Sequence, residues 1–362
     1  MEYQHGGDIY TNCVKMDYSA NINPLGLPER VKEAINQAVE NCSCYPDSRC
    51  GKLRKELGIL HNFPEGNIIC GNGAADLIFL IAQVIKPKKA LLIAPSFLEY
   101  EQALKAVSTQ IQWYDLKEND GFQLKRKELT EWIKTHGQEI EMLFLCNPNN
   151  PTGYALKKEE LKELLDFCKE NKIFCVIDEC FNEFLERPED YSVLGFIKDG
   201  GYDHVFVLKA FTKIYAMAGL RLGYGICKDN EVLEAIEAIR QPWSVSSLAQ
   251  AAGEAALKEW EYVKKTRELI AKEREYLKKN LTDLGLFVFD SKANYLFFKD
   301  CRKKALKQEK LLYNELLKKE VLIRSCSNYR GLDDSYYRIC VKQRMENDAF
   351  LAELKSILTE GE

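Results

Sequence analysis

The stretch EMLFLCNPNNPTGYALKKEELKELLDFCKENKIFCVIDE, Glu141 to Glu179, decides the fold. It opens on a short apolar run that ends in a turn cluster. It then passes into KKEELKELLDFCKEN, where Leu161, Leu164, Leu165 and Cys168 recur at helical spacing and form one apolar face. IFCVIDE is again a continuous apolar run. Strands apolar on both faces, joined by an amphipathic helix, predict a mostly parallel sheet covered on both sides.

The same alternation extends outward. GNIICGNG is a short run ending in glycines, followed by the helical pattern ADLIFLIAQVI, and ALLIAPS reads as a second buried strand. EMLFLCNP and IFCVIDE are the third and fourth strands, and HVFVLKAF is the fifth. The expected class is α/β. After Trp243 the pattern changes: one long charged helix is expected over residues 246–281, then separated strands in LFVFD, NYLFF and VLIRS, then a closing helix near 346–358. A length of 362 residues is large for one core, so two lobes are expected. These are a larger domain over 46–245 and a smaller α+β lobe from 1–45 and 246–362, with 1–45 contributing no strand to the main sheet.

Composition narrows the partners. The net charge of -4 favours neither nucleic acid nor an anionic membrane. No apolar run approaches membrane-spanning length, and MEYQHGGDIYTN lacks the apolar core of a secretion signal, so a cytoplasmic protein is expected. Thirteen scattered cysteines read as reduced thiols. Cys42, Cys44 and Cys50 lack a second ligand pair, and His5, His61, His136 and His204 fall in no ligand pattern, so no metal is expected.

In open parallel sheets ligands bind beyond the carboxyl ends of the strands, and four unusual clusters fall at such ends. Gly71-Asn72-Gly73-Ala74-Ala75-Asp76 ends a strand and opens a helix, where small residues and free N–H groups suit an anion. A dinucleotide loop would carry a third glycine at Asp76, and a plain tight turn also fits. Asn147-Pro148-Asn149-Asn150-Pro151-Thr152-Gly153 has the composition of a turn. Asp178-Glu179 closes a buried strand, where an acid needs a partner. Lys213 follows HVFVL in AFTKIYAMAGLRLGYG, eight residues before Arg221.

In combination and order these clusters resemble the class I/II aminotransferase family, pyridoxal-phosphate enzymes of the aspartate aminotransferase fold. The resemblance implies that Lys213 bonds the cofactor pyridoxal 5'-phosphate and Asp178 faces its ring nitrogen. It further implies that Asn150 reaches the ring hydroxyl and that Phe97, in APSFLEY, stacks on the ring. Gly73, Ala74, Ala75, Thr212 and Arg221 would cradle the phosphate. Tyr45, in YPD, matches a tyrosine that completes the neighbouring subunit's cradle, which implies a homodimer with shared sites. Two positions depart from the pattern: Ala210 replaces a serine at the phosphate, and Phe181 replaces a tyrosine at the ring hydroxyl.

Within the family, HGGDIY, MDYSANINPLGLP, QPWSVSSLAQAAGEAAL and IRSCSNYRGLDDSYYRICVK are similar to the threonine-phosphate decarboxylases of cobamide biosynthesis. The next resemblance is to histidinol-phosphate aminotransferases. The implied reaction is decarboxylation of O-phospho-L-threonine or a close phosphoamino acid to aminopropanol phosphate, with transamination as the alternative. Arg338 would grip the substrate's acidic group and Arg324 would be a second cation. His5, Gly6, Gly7 and Asn23 would close over the substrate phosphate. A DNA-binding regulator would need a helix-turn-helix ahead of residue 60, for which the segment is too short. A nucleotide-binding dehydrogenase would leave Lys213 and Asp178 without a role.

Overall fold

The computed structural model describes residues 5–302 and 310–359. In chain order its strands are β1 (Met16–Asp17), β2 (Ile68–Gly71), β3 (Lys89–Ala94), β4 (Gln110–Asp115), β5 (Met142–Cys146), β6 (Phe174–Asp178), β7 (Val205–Ala210), β8 (Gly223–Cys227), β9 (Phe287–Val288), β10 (Tyr295–Lys299), β11 (Val321–Leu322), β12 (Arg324–Ser325) and β13 (Tyr336–Cys340). The central sheet has seven strands in the order β2-β8-β7-β6-β5-β3-β4. Only β8 runs antiparallel to its neighbours. The α/β expectation is met.

Alternation along the strands buries one set of side chains on each face of the large sheet. Leu143, Leu145, Cys175, Ile177, Val205 and Val207 bury on one face of the sheet. Met142, Phe144, Val176, Phe206 and Leu208 bury on the other. Every residue of β5 and β7 is buried, which is why these strands read as unbroken apolar runs. The register sets Cys146 beside Asp178 and Asp178 beside Leu208, so the carboxyl ends of β5, β6 and β7 meet at one edge.

A second core joins β10, β13 and the helices Trp260–Asp283 and Arg344–Thr359. The sheet here runs β12-β13-β10-β9, and β1 pairs in parallel with β11 outside both larger sheets. Tyr18 buries in this second core. Val31, from the helix Glu29–Ala38, buries with Ala249 and Ala252 in the core of the large sheet.

Some elements differ from the expectation. The single helix over 246–281 is two helices, Ser247–Ala256 and Trp260–Asp283. The first is rich in alanine and is capped by the Ser246 hydroxyl, which accepts from Ala249 N–H at 3.2 Å. VLIRS splits between two ladders, β11 and β12. Strands β4, β8 and β13 were not expected. β4 is a half-buried edge, and β8 carries Gly223 and Gly225, which weaken a strand signal.

Candidate active site

At the shared sheet edge a cavity of about 260 Å³ opens between the two cores. Its walls hold Lys213, Asp178, Arg221, Arg324 and Arg338 together, although they lie up to 160 residues apart in sequence.

Asp178 ends β6 and is 5% exposed. The Tyr100 hydroxyl donates to its Oδ2 at 2.6 Å, and Cys180 N–H donates to its Oδ1 at 2.9 Å. These two donors hold a carboxylate at the rim of an apolar core. Its neighbour Glu179 turns away. It accepts from Ser192 Oγ and Val193 N–H at 2.8 Å each and pairs with Lys209 at 3.2 Å.

Two lysines lie four residues apart, Lys209 buried and Lys213 half-buried in the cavity wall, and their surroundings set them apart. Lys209, on β7, sits between Glu179 and Glu183, the latter at 3.0 Å, and these carboxylates hold its ammonium well above the usual lysine range. Lys213 lies on the single turn Phe211–Ile214, and among the described residues its side-chain ammonium has no hydrogen bond or ion pair. Burial, then the guanidinium groups of Arg338 and Arg221, push it down to about 8. Of the two, only Lys213 is brought close enough to neutral pH to release its proton readily.

The anion cradle is built by close approach. Gly73 has φ +80°, and a Cβ there would lie 2.5 Å from Arg221 Nη2. A Cβ on Gly223 would collide with Ala74 N, so the β2–β8 pairing needs glycine there. The helix Ala74–Ile85 starts at this point, with the N–H groups of its first turn free of helical partners. Arg221 sits in the left-handed region, with φ 58°, and donates to Ala218 O at 3.1 Å.

Across the cavity, Arg338 donates from Nη1 to Asn150 Oδ1 and from Nη2 to Ser19 O at 2.7 Å, while its buried Nε has no partner among the described residues. Arg324 donates to Asn328 Oδ1 at 2.8 Å and lies over the Tyr329 ring at 5.3 Å. Both arginines are 5% exposed. Among the described arginines only Arg49, Arg221, Arg324 and Arg338 lack an acidic partner within 4.0 Å, and the last three line this one cavity. Arg324 and Arg338, buried cations without counter-ions, require anionic ligands, and the exposed Arg221 adds a third positive charge to the same wall.

The remaining expected residues divide. Gly73, Ala74, Ala75, Phe97, Asn150, Thr212, His5 and Gly6 line the cavity or touch a residue that does. Ala210 and Phe181 are also in its wall. Gly7 stands behind it, its N–H donating to Ser19 Oγ at 2.6 Å. Tyr45 is outside this cavity, 80% exposed and stacked on Trp243. Asn23 is a correction. Its amide is buried and committed to Ile214 O and Thr266 Oγ1, both at 2.7 Å, so it ties the arm to the fold and does not reach a ligand. Asn21, two residues earlier, lines the cavity instead, with a buried Oδ1 that has no partner among the described residues. Glu99, Tyr329 and Ser19 were also missed, because nothing local in the sequence marks them.

Among the described residues no group of three or more His, Cys, Asp and Glu is arranged for a metal, and no helix is long and apolar enough to cross a membrane. An unpaired lysine with a lowered pKa, a carboxylate held in place at the strand end and a glycine-walled cationic cradle fit pyridoxal phosphate. These are the parts that a site for that phosphorylated cofactor requires.

The chain matches the model of aminotransferase class I and II over residues 14–354, and it belongs to that family of pyridoxal-phosphate-dependent enzymes. It is 36% identical over 367 residues to the threonine-phosphate decarboxylase of Salmonella typhimurium, covering 98% of this chain and 96% of the relative. It is 34% identical over 351 residues to histidinol-phosphate aminotransferase 2 of Carboxydothermus hydrogenoformans, covering 96% and 92%. The crystal structure of the histidinol-phosphate aminotransferase from Clostridium acetobutylicum superposes with a TM-score of 0.86 at 32% identity, covering 95% of this chain and 99% of that one.

Proposed function

We propose that the protein decarboxylates O-phospho-L-threonine, or a close phosphoamino acid, to aminopropanol phosphate for the nucleotide loop of a corrinoid. The observation that carries this reading is the set of uncompensated guanidinium groups around one lysine. Arg221, with Thr212 and the first N–H groups of the helix Ala74–Ile85, would hold the cofactor phosphate. That leaves Arg338 and Arg324 for a ligand with two anionic ends, as a phosphoamino acid has.

When bound, pyridoxal phosphate supplies a ring that accepts the electron pair released from the substrate. The chain's residues position and shuttle. Asp178, fixed by Tyr100 and Cys180, would hold the ring nitrogen, and Phe97 would pack on the ring face. Arg338 would orient the carboxylate, with Arg324 and His5 at the phosphate end. Lys213 Nζ would attach the cofactor and afterwards give up or take back a proton. Tyr45, exposed beside Trp243, would reach the cavity of a second copy in a cytoplasmic homodimer.

Transamination of histidinol phosphate is the second reading, favoured by the relatives of that name. It would use the same two arginines for the two carboxylates of glutamate. The products separate the readings. Pyridoxal-phosphate-loaded protein is given O-phospho-L-threonine without any keto acid, and the products are weighed by mass spectrometry. Aminopropanol phosphate over many turnovers supports decarboxylation. Its absence, with glutamate formed from 2-oxoglutarate and histidinol phosphate, would replace that reading by the second.

A further inference from the structure

Glu99 has no part in the roles assigned above. It stands in the first turn of the helix Leu98–Ala106, in the cavity wall, with its side chain 14% exposed. Its Oε2 is buried and without a hydrogen-bond partner among the described residues. Its Oε1 lies 3.4 Å from His5 Nδ1. Arg324 and Tyr329 complete this end of the cavity. An anion placed between His5 and Arg324 would meet the carboxyl of Glu99. An ionised carboxylate there would repel it, whereas a neutral acid would offer an O–H donor.

We propose that Glu99 is a specificity-determining residue that binds the substrate's phosphate as a neutral acid, its Oε2–H donating to a phosphate oxygen. The inference rests on the reading that this end of the cavity takes a phosphate monoester. Burial supports it by raising the Glu99 carboxyl to about 7, although the charges of Lys213 and Arg324 act the other way. The groups facing Glu99 are His5, Lys213, Arg324, Tyr329 and Asp178. Burial and Arg324 lower His5, so it is already neutral above pH 7. Lys213, Tyr329 and Asp178 are common to the wild type and to any Glu99 variant, so the difference between the two isolates Glu99.

The consequence is proton uptake. Above pH 7 the free protein carries Glu99 as a carboxylate, and ligand binding must restore its proton. The test is titration calorimetry of the pyridoxal-phosphate-loaded protein with isopropyl phosphate, in buffers of different ionisation enthalpy. This probe has no amine, so it forms no bond to the cofactor, and its binding is independent of which reaction the enzyme performs.

In the wild type we expect close to one proton taken up at pH 8, and affinity falling about tenfold per pH unit between roughly 7.5 and 9. Glu99→Gln keeps a donor without an acid. It should bind with no uptake and an affinity flat over that range. Glu99→Ala should bind about tenfold more weakly than wild type at pH 7. Equal uptake in wild type and Glu99→Gln would overturn the proposal. So would tighter binding by Glu99→Ala, which would mark an ionised, repelling carboxylate, or no binding by the wild type. Aminopropanol phosphate production by a protein that fails these tests would leave the proposed function standing and remove only the role of Glu99.

Discussion

Replacing Lys209 by methionine tests whether the two neighbouring lysines are sorted as described. Lys209 is 2% exposed and Glu179 is 0% exposed, and the ammonium lies 3.2 Å from Glu179 and 3.0 Å from Glu183. Methionine keeps most of the volume and removes the charge. Glu179 would keep Ser192 and Val193, and Glu183 would keep Arg267 at 2.9 Å. Breaking a buried pair from one side costs about 3–5 kcal/mol. A second route agrees. Despite its burial, the Glu183 carboxyl is lowered from 4.5 to about 2, with Lys209 the first of the lowering charges. At roughly 1.4 kcal/mol per tenfold, this is worth about 3.5 kcal/mol, and Arg267 owns part of it, which leaves about 3 kcal/mol for Lys209.

The sign follows from the lowered value. Stability from Glu183 is fully present above 4.5 and is lost as pH falls toward about 2. The deficit of Lys209→Met should therefore stay near about 3 kcal/mol from pH 7 to about 5, fall to roughly three-fifths of that by about pH 3.5, and vanish only below about pH 2. Equilibrium urea unfolding at pH 7, 5 and 3.5 measures it, with the same cofactor concentration in both proteins so that its contribution cancels. A deficit under about 1 kcal/mol, or one that does not change with pH, would refute the charge argument and leave only lost packing.

Lys213→Ala should end covalent attachment, so that borohydride treatment adds the cofactor's mass to the wild type and not to the variant; equal mass gain would move the attachment to another lysine. Lys213→Met should stabilise the cofactor-free protein at pH 7. A lysine lowered from 10.5 to about 8 costs stability below about 8, and the cost fades as pH rises to 10.5, so the gain should shrink over that window. Arg338→Ala should raise KM for the phosphoamino acid at least about tenfold, having removed a charged donor from a buried site. Unchanged capture would place the acidic group elsewhere. For the dimer, a mixture of Tyr45→Ala and Lys213→Ala proteins should form some sites free of both changes and regain turnover on subunit exchange; two inactive proteins that stay inactive in proven mixed dimers would deny Tyr45 its reach across the interface.

Much of the fold was legible because its signals are local. The runs in β5, β6 and β7 are apolar on both faces, and the helix Lys158–Glu170 repeats its leucines every three or four residues. Strand β8 was not legible. Gly223 and Gly225 spend its side chains on close approach to Ala74 and Phe206, a requirement of packing that looks like weak strand propensity in the sequence. The break in the expected helix over 246–281 was equally hidden, since its two halves are set apart by what they pack against.

The sequence by itself determined the order of chemical groups along the chain: a glycine–alanine turn, an asparagine turn, an acid, a lysine and two late arginines. It also determined that strands deliver the first four to one sheet edge, because parallel strands share their carboxyl ends. Only the tertiary structure decided which of two near neighbours does the work. Asn21 faces the cavity and Asn23 does not; Lys213 is unpaired and Lys209 is neutralised; Asp178 faces the cavity and Glu179 the ion pair. Each choice depends on where a partner from a distant part of the chain comes to lie. Burial and charge act through space, and one residue of displacement along the backbone is enough to reverse them.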